Sequence, residues 1–168
     1  DEQFELFTRY LSTRHADGGM AGMDAYEYSA MVEESAISSR LVEYINPISG
    51  QLIAACLTDI LSDGLSMVYS FYDPDYERDS LGSWMILDHI NLAAEAGLKY
   101  IYLGYWVPGS PKMQYKARFA PLEVFRSGAW HLLDDPKKFE RGPMHSDSDP
   151  IADQLAAIHL PRGDFYTS

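Results

Sequence analysis

Three aspartates, Asp59, Asp63 and Asp73, close or follow β-rich runs in "LTDILSDG" and "FYDPD". A carboxylate exposed at a strand end can position an amine and take a proton from it, which is the work of a general base. Further along, "YIYLGYWVPGSPKMQYKARF", Tyr100 to Phe119, holds six aromatic residues and three lysines or arginines without one carboxylate. Phenols such as Tyr102 and Tyr105 can donate to an oxygen on which charge develops. Lys116 and Arg118 in "YKARF" suit an anion, lysine as a point charge and arginine through two parallel N–H bonds. Each has a plainer reading. Asp59 and Asp63 can satisfy the N–H groups of their own turn, and "YDPD" is a common turn spelling in which Asp73 caps backbone amides. Tyr100, Tyr102 and Trp106 share the parity of a core-facing row, and "YKARF" by itself is an ordinary solvated helix face. His89 reads as structural, Arg14 and His15 can simply end a helix, and His131, His145 and His159 lack ligand spacing, so no metal site is expected.

Those residues need elements to hold them. Residues 2 to 15 place Phe4, Phe7, Tyr10 and Leu11 at helical spacing, and "ADGGMAGMD" breaks the helix. Asp24 with Glu27 three residues on predicts a capping box opening a second helix over roughly 24–34. "RLVEYIN", "QLIAACLTDI" and "LSMVYSFY" are β-rich runs separated by the turn spellings "PISG" and "LSDG". Ser80 is a candidate N-cap for a long helix with apolar Leu81, Trp84, Met85, Ile86, Ile90 and Leu92, which Gly97 stops. A buried strand "KYIYLGYW", a loop "VPGSP", a short helix "KMQYKARF" and a final strand "PLEVFRSG" follow. After about residue 134 Pro, Asp, Ser and Lys dominate until "IADQLAAIHL", so 134–168 is expected to be a loosely attached acidic tail.

The totals bound the function. The 168 residues are 46% hydrophobic, enough for one globular domain with a real core. The single cysteine, Cys56, excludes a disulfide scaffold and suggests a reducing, cytoplasmic setting. No apolar run reaches the roughly 18 residues of a membrane span. A net charge of -12 opposes indiscriminate binding to polyanions. Local distribution overrides the mean, since Lys99, Lys112, Lys116 and Arg118 fall between Glu95 and Glu123 with no intervening acid.

The element order, an α+β chain with a central mixed sheet flanked by helices, resembles the GCN5-related N-acetyltransferase fold. In that fold the long helix aims its free N–H groups at a donor phosphate. Here "ERDSLGS" keeps only Arg78 and Gly82 of the glycine-rich loop that acetyl-CoA users show. Four segments, "YLSTRHADGGMAGMD", "LTDILSDGLSMVYSFYDPD", "SLGSWMILDHINLAAEAGLKYIYLGYW" and "KMQYKARFAPLE", resemble the C-terminal domain of the aminoacyl-tRNA protein transferases over roughly residues 1 to 133. The bacterial branch, nearest in length and wording, transfers leucine to N-terminal Asp or Glu; the eukaryotic branch transfers arginine. The family commonly has an upstream segment with several cysteines and an arginine-rich stretch, neither of which is in this sequence. Where a basic residue is usual, this chain has Ile60, Asp79 and Pro111.

The resemblance implies an aminoacyl-tRNA donor, a protein N-terminus as acceptor, and no cofactor. Aminolysis of an activated ester requires neither a metal nor a covalent enzyme intermediate, so Cys56 need not be a nucleophile. In these terms Asp59, Asp63, Asp73 and Tyr105 are the catalytic candidates. Lys116 and Arg118, with Tyr115, Lys112 and Tyr72, are candidates for binding an acidic acceptor. Arg78, Ser80, Lys99 and Trp106 are candidates for the tRNA end, where rings stack on bases and cations meet phosphates. Two other readings remain open: an acetyl-CoA-dependent N-acetyltransferase of the same fold, and a non-catalytic module that binds acidic N-termini or a tRNA end.

Overall fold

In the computed structural model, residues 2–14, 20 and 22–139 are described. His15, His145, His159 and "IADQLAAIHL" lie outside them. The chain forms two compact units that divide after Tyr105.

The first unit opens with α1, Glu2–Arg14, and α2, Ala25–Glu33. Asp24 and Glu27 form the expected capping box, the Asp24 carboxylate accepting from the Tyr26 and Glu27 amides while Glu27 accepts from the Asp24 amide. Three antiparallel strands follow: β1, Ser39–Ile45; β2, Leu52–Ile60; and β3, Gly64–Tyr72. A 310 segment, Pro74–Asp79, leads into α3, Leu81–Glu95, which Gly97 ends in a left-handed conformation. β4, Tyr100–Tyr102, then pairs parallel to β3, completing a mixed sheet in the order β1-β2-β3-β4.

Alternate residues of β2 serve opposite layers, as the pleat dictates. On one face Ala55 joins Leu6, Phe7, Leu11, Tyr28 and Phe71 in a closed cluster. Phe7 is its centre, with Tyr28 at 5.0 Å and Phe71 at 5.4 Å between ring centroids. Burying such a ring contributes about 1.5–3 kcal/mol. Residues of the other parity meet α3. There Thr58 Oγ1 lies 2.8 Å from Nε2 of the fully buried His89, whose Nδ1 lies 2.8 Å from the Met85 carbonyl. The Met85 carbonyl can only accept, so Nδ1 carries the hydrogen and Nε2 accepts from Thr58. Burial holds the His89 pKa below the ordinary histidine value, although the Met85 bond and the Asp88 charge oppose that. The structural expectation for His89 agrees with this seat.

Two sequence expectations change. The run Lys99 to Trp106 is not a long buried strand: only Tyr100–Tyr102 is extended, on a sheet edge, with Tyr100 47% exposed. Ser80 occupies the N-cap position of α3 in a left-handed conformation and its side chain makes no cap bond. Instead its carbonyl accepts from the Ser83 and Trp84 amides.

The second unit, from Trp106, contains a 310 segment at Gln114–Arg118, a hairpin of β5, Glu123–Arg126, and β6, Ala129–Leu132, and a last 310 segment at Pro136–Phe139. The expected final strand is thus one arm of a hairpin. Ser127 and Gly128 both have positive φ, the two-residue turn that matches strand twist, and Phe125 pairs with Trp130 across it.

Candidate active site

The β3–β4 ladder covers three registers, Gly64 with Tyr100, Leu65 with Ile101 and Ser66 with Tyr102, and then stops. β3 itself runs on to Tyr72. Two residues explain why the strands meet and then part. Gly64 lies so close that a Cβ there would sit 2.5 Å from the Tyr100 carbonyl oxygen, so only glycine permits the contact. Gly104, two residues past the ladder and with a Cβ position 3.8 Å from the Met67 carbonyl oxygen, takes φ +69°, a conformation glycine adopts without steric penalty. β3 also carries a bulge, since Leu57 pairs with Tyr69 and Thr58 with Met67, leaving Val68 unmatched. The result is a wedge along the edge of β3, closed at Gly64 and open toward Tyr72. Parallel strands that diverge at their C-terminal ends are where ligands enter sheets of this kind.

The three aspartates do not converge. Asp59 and Asp63 lie at the closed end. Asp59 accepts from the Ser39 hydroxyl, its partner across the strands. Asp63 accepts from the Tyr102 hydroxyl at 3.0 Å, and its carbonyl accepts from the Lys99 and Tyr100 amides, fastening β4 to the β2–β3 turn. Asp73 lies beyond the other end of β3, a nine-residue strand of roughly 30 Å at about 3.3 Å per residue. One reacting atom cannot be served from both places. Lys99 is exposed at the start of β4, whereas Arg78 and Ser80 precede the other end of α3, a 15-residue helix of roughly 22 Å at about 1.5 Å per residue.

The open end collects other groups. Asp73 caps the 310 segment through the Asp75 amide and takes two bonds from Arg9, Nη2 at 2.9 Å and Nη1 at 3.3 Å. Arg14 donates to the Tyr72 hydroxyl, its guanidinium carbon 5.7 Å from that ring's centroid, and Tyr10 packs edge-on against Tyr72 at 5.0 Å. Arg78 and Ser80 are exposed there, just before the free N–H groups of α3. Tyr105, 50% exposed, follows Gly104, three residues past the end of β4. Arg9, Tyr10 and Arg14 were missed as site residues. Arg9 lies on a polar helix face, Tyr10 on the apolar one and Arg14 reads as a helix stop, and none of these says which strand end the helix will meet.

In the second unit Lys116 is partly buried and desolvation lowers its pKa, while Arg118 is exposed. They sit two apart on a 310 segment, where about three residues make a turn, so their side chains leave in directions roughly 120° apart. They are therefore not a side-by-side clamp. Lys112 is exposed and Tyr115 half-buried. The Trp106 ring meets Phe139 edge-on at 6.2 Å, and its buried Nε1–H has no acceptor among the described residues.

The family model described as "Arginine-tRNA-protein transferase, C terminus" matches residues 2–126, most of the chain. The chain belongs to this transferase family. Relatives named aspartate/glutamate leucyltransferase include those of Ruegeria pomeroyi, 60% identical over 161 residues, and Cereibacter sphaeroides, 55% identical over 166 residues. That of Dinoroseobacter shibae is 52% identical over 170 residues. Each alignment covers 96% of this chain but only 59% or 60% of the relative, so the chain spans about three fifths of their length. Among the described residues no helix is long and apolar enough to cross a membrane, and no group of three or more His, Cys, Asp or Glu could hold a metal ion.

Proposed function

We propose that this chain carries the chemical step of an aspartate/glutamate leucyltransferase: leucine passes from leucyl-tRNA to the α-amine of a protein beginning with Asp or Glu. Such a modification marks the acceptor for degradation, and charged tRNA places it in the cytoplasm. The observation that carries the reading is the β3–β4 wedge, opening beside the start of α3, in a chain whose relatives bear that name. In fold we assign residues 1–133 to a GCN5-related N-acetyltransferase-like catalytic domain and 134–168 to a tail.

The chemistry needs little from the protein beyond placement. The α-amine attacks the ester carbonyl, an amide C–N bond forms, and the ester C–O bond breaks. The tRNA 3′-oxygen leaves with a proton, and the nitrogen gives one up. An α-amine has a pKa of about 8, so an appreciable part is already neutral near pH 7. Tyr72, the phenol at the open end, and Tyr105, just past β4, suit the oxyanion and the leaving oxygen. Asp73 is held by Arg9 and its own turn, which favours a positioning part for it, and the same holds for Asp59 and Asp63. Arg78, Ser80 and the α3 amides suit the terminal phosphates, with Lys99 and Trp106 meeting more distant nucleotides. Lys116, Arg118, Lys112 and Tyr115 of the second unit are assigned to the acidic acceptor on their chemistry alone, cations for its carboxylate and a ring beside them.

The test mixes the protein with labelled leucyl- or arginyl-tRNA and peptides beginning with Asp, Glu or Ala. Labelled Asp and Glu peptides from leucyl-tRNA are expected. No labelled peptide from either donor, also when the relatives' unshared part is fused to the chain, rejects the proposal.

A further inference from the structure

Tyr72 ends β3, and α1 holds its ring on more than one side. Tyr10 meets the ring edge-on at 5.0 Å, and the Arg14 guanidinium carbon lies 5.7 Å from its centroid. The next residue, Asp73, is tied to the same helix by Arg9 at 2.9 Å. This is more than ending a helix requires. A cation in the last turn of α1 is favoured by the helix dipole even with its side chain in water, yet Arg14 is half-buried and donates to the Tyr72 hydroxyl. Arginine has no acceptor, so the Tyr72 oxygen accepts in this bond and its own hydrogen must be given elsewhere. Among the described residues no acceptor takes that hydrogen. The bond also strengthens the donor, because an oxygen that accepts from a cation polarises its own O–H.

We propose that Arg14 is a positioning residue for leucine transfer, which holds Tyr72 as a one-way hydrogen-bond donor toward the ester carbonyl oxygen. The inference deepens the leucyl-transfer reading and rests on it. When the α-amine attacks, the carbonyl carbon becomes tetrahedral and its oxygen takes up negative charge. The Tyr72 hydrogen meets that oxygen while staying bonded to the phenol, and the contact relaxes as the C–O bond breaks and the carbonyl re-forms. No proton is transferred at Tyr72. A phenol free to turn and accept must reorient at the moment of reaction, whereas one already fixed as a donor needs no reorganisation. Its place suits the part, since Tyr72 stands at the open end of the wedge, just before the segment that leads into α3.

The test follows transfer from leucyl-tRNA to an Asp peptide by Tyr72→Phe, Arg14→Ala, Arg14→Lys and the double variant of Arg14→Ala with Tyr72→Phe. Loss of one oxyanion donor is expected to lower kcat about 100-fold in Tyr72→Phe, with KM for the peptide unchanged. Arg14→Ala should cost about tenfold in kcat, Arg14→Lys less, and Arg14→Ala nothing further on the Tyr72→Phe background. A second readout needs no turnover. The adenosine 3′-ester of leucine's phosphonate analogue, tetrahedral and anionic where the ester is attacked, should bind about tenfold more weakly to each single variant than to the parent. Planar 3′-leucylamido-3′-deoxyadenosine should bind to all of them alike. Full transfer or unchanged phosphonate binding by Arg14→Ala overturns the inference. So does an undiminished Arg14→Ala loss on the Tyr72→Phe background, which makes the residue a structural support. Loss of preference for Asp over Ala peptides in Arg14→Ala also overturns it, making the residue a reader of the acceptor's carboxylate. A parent that transfers nothing refutes the transferase reading instead, and the two adenosine probes then still decide the part played by Arg14.

Discussion

Replacing Gly64 by alanine tests whether the wedge is built as described. The new methyl carbon would lie 2.5 Å from the Tyr100 carbonyl oxygen and 3.0 Å from its carbon, both backbone atoms that cannot swing aside. β4 must move outward by several tenths of an ångström or the β3 edge must bend. Overpacking of this kind costs about 1–3 kcal/mol. Alanine returns about 0.4–1 kcal/mol by restricting the unfolded chain, because Gly64 has no left-handed φ to forbid it. The net expectation is a loss of about 1–2 kcal/mol, a fall in Tm of roughly 2–8 °C for a chain of this size. Activity should suffer more than stability. β4 leads directly to Tyr105, and a misplacement of about 1 Å at a reacting centre can lower a rate about 100-fold. Thermal unfolding and the leucyl-transfer assay measure the two effects, with Gly22→Ala as the neutral control, since a Cβ there meets nothing. If Gly64→Ala melts and transfers like the parent, the close β3–β4 contact is not what shapes the site.

Asp73→Asn keeps one cap acceptor but loses the Arg9 ion pair; it should lower stability by about 0.5–1 kcal/mol and leave transfer within a few-fold. A loss of transfer beyond about 100-fold with the fold intact would make Asp73 the base after all. His89 is neutral in the fold with a lowered pKa, so the unfolded chain binds the proton first as pH falls. Its contribution is steady above the unfolded pKa of about 6.5, and stability declines below that by up to about 1.4 kcal/mol per pH unit; His89→Gln should remove that part of the slope in denaturant titrations at pH 7.5, 6.0 and 5.0. Burial pushes the Cys56 thiol up to about 11, so modification by a thiol reagent at pH 8 should follow unfolding, and fast labelling of the native protein would contradict its buried seat.

Local chemistry made much of this protein legible in advance. The capping box at Asp24, the three-strand meander and the long helix ending at Gly97 each follow from neighbours in the chain, where dihedral preference and hydrophobic period act over a few residues. Four separated motifs in one order were enough to mark the family. What stayed hidden depends on partners distant in sequence. The edge position of β4 left Tyr100 exposed although its run reads as core. β6 escaped notice because "AWHL" is short and has meaning only against β5. Above all, Asp59, Asp63 and Asp73 look like one cluster within fifteen residues, yet an antiparallel turn followed by a full strand carries Asp73 to the opposite end of the sheet. There Arg9, some sixty residues earlier, becomes its partner, and Arg14 that of Tyr72 beside it. Sequence separation measures distance along the chain, whereas catalysis depends on distance through space, and only strand direction and register convert one into the other.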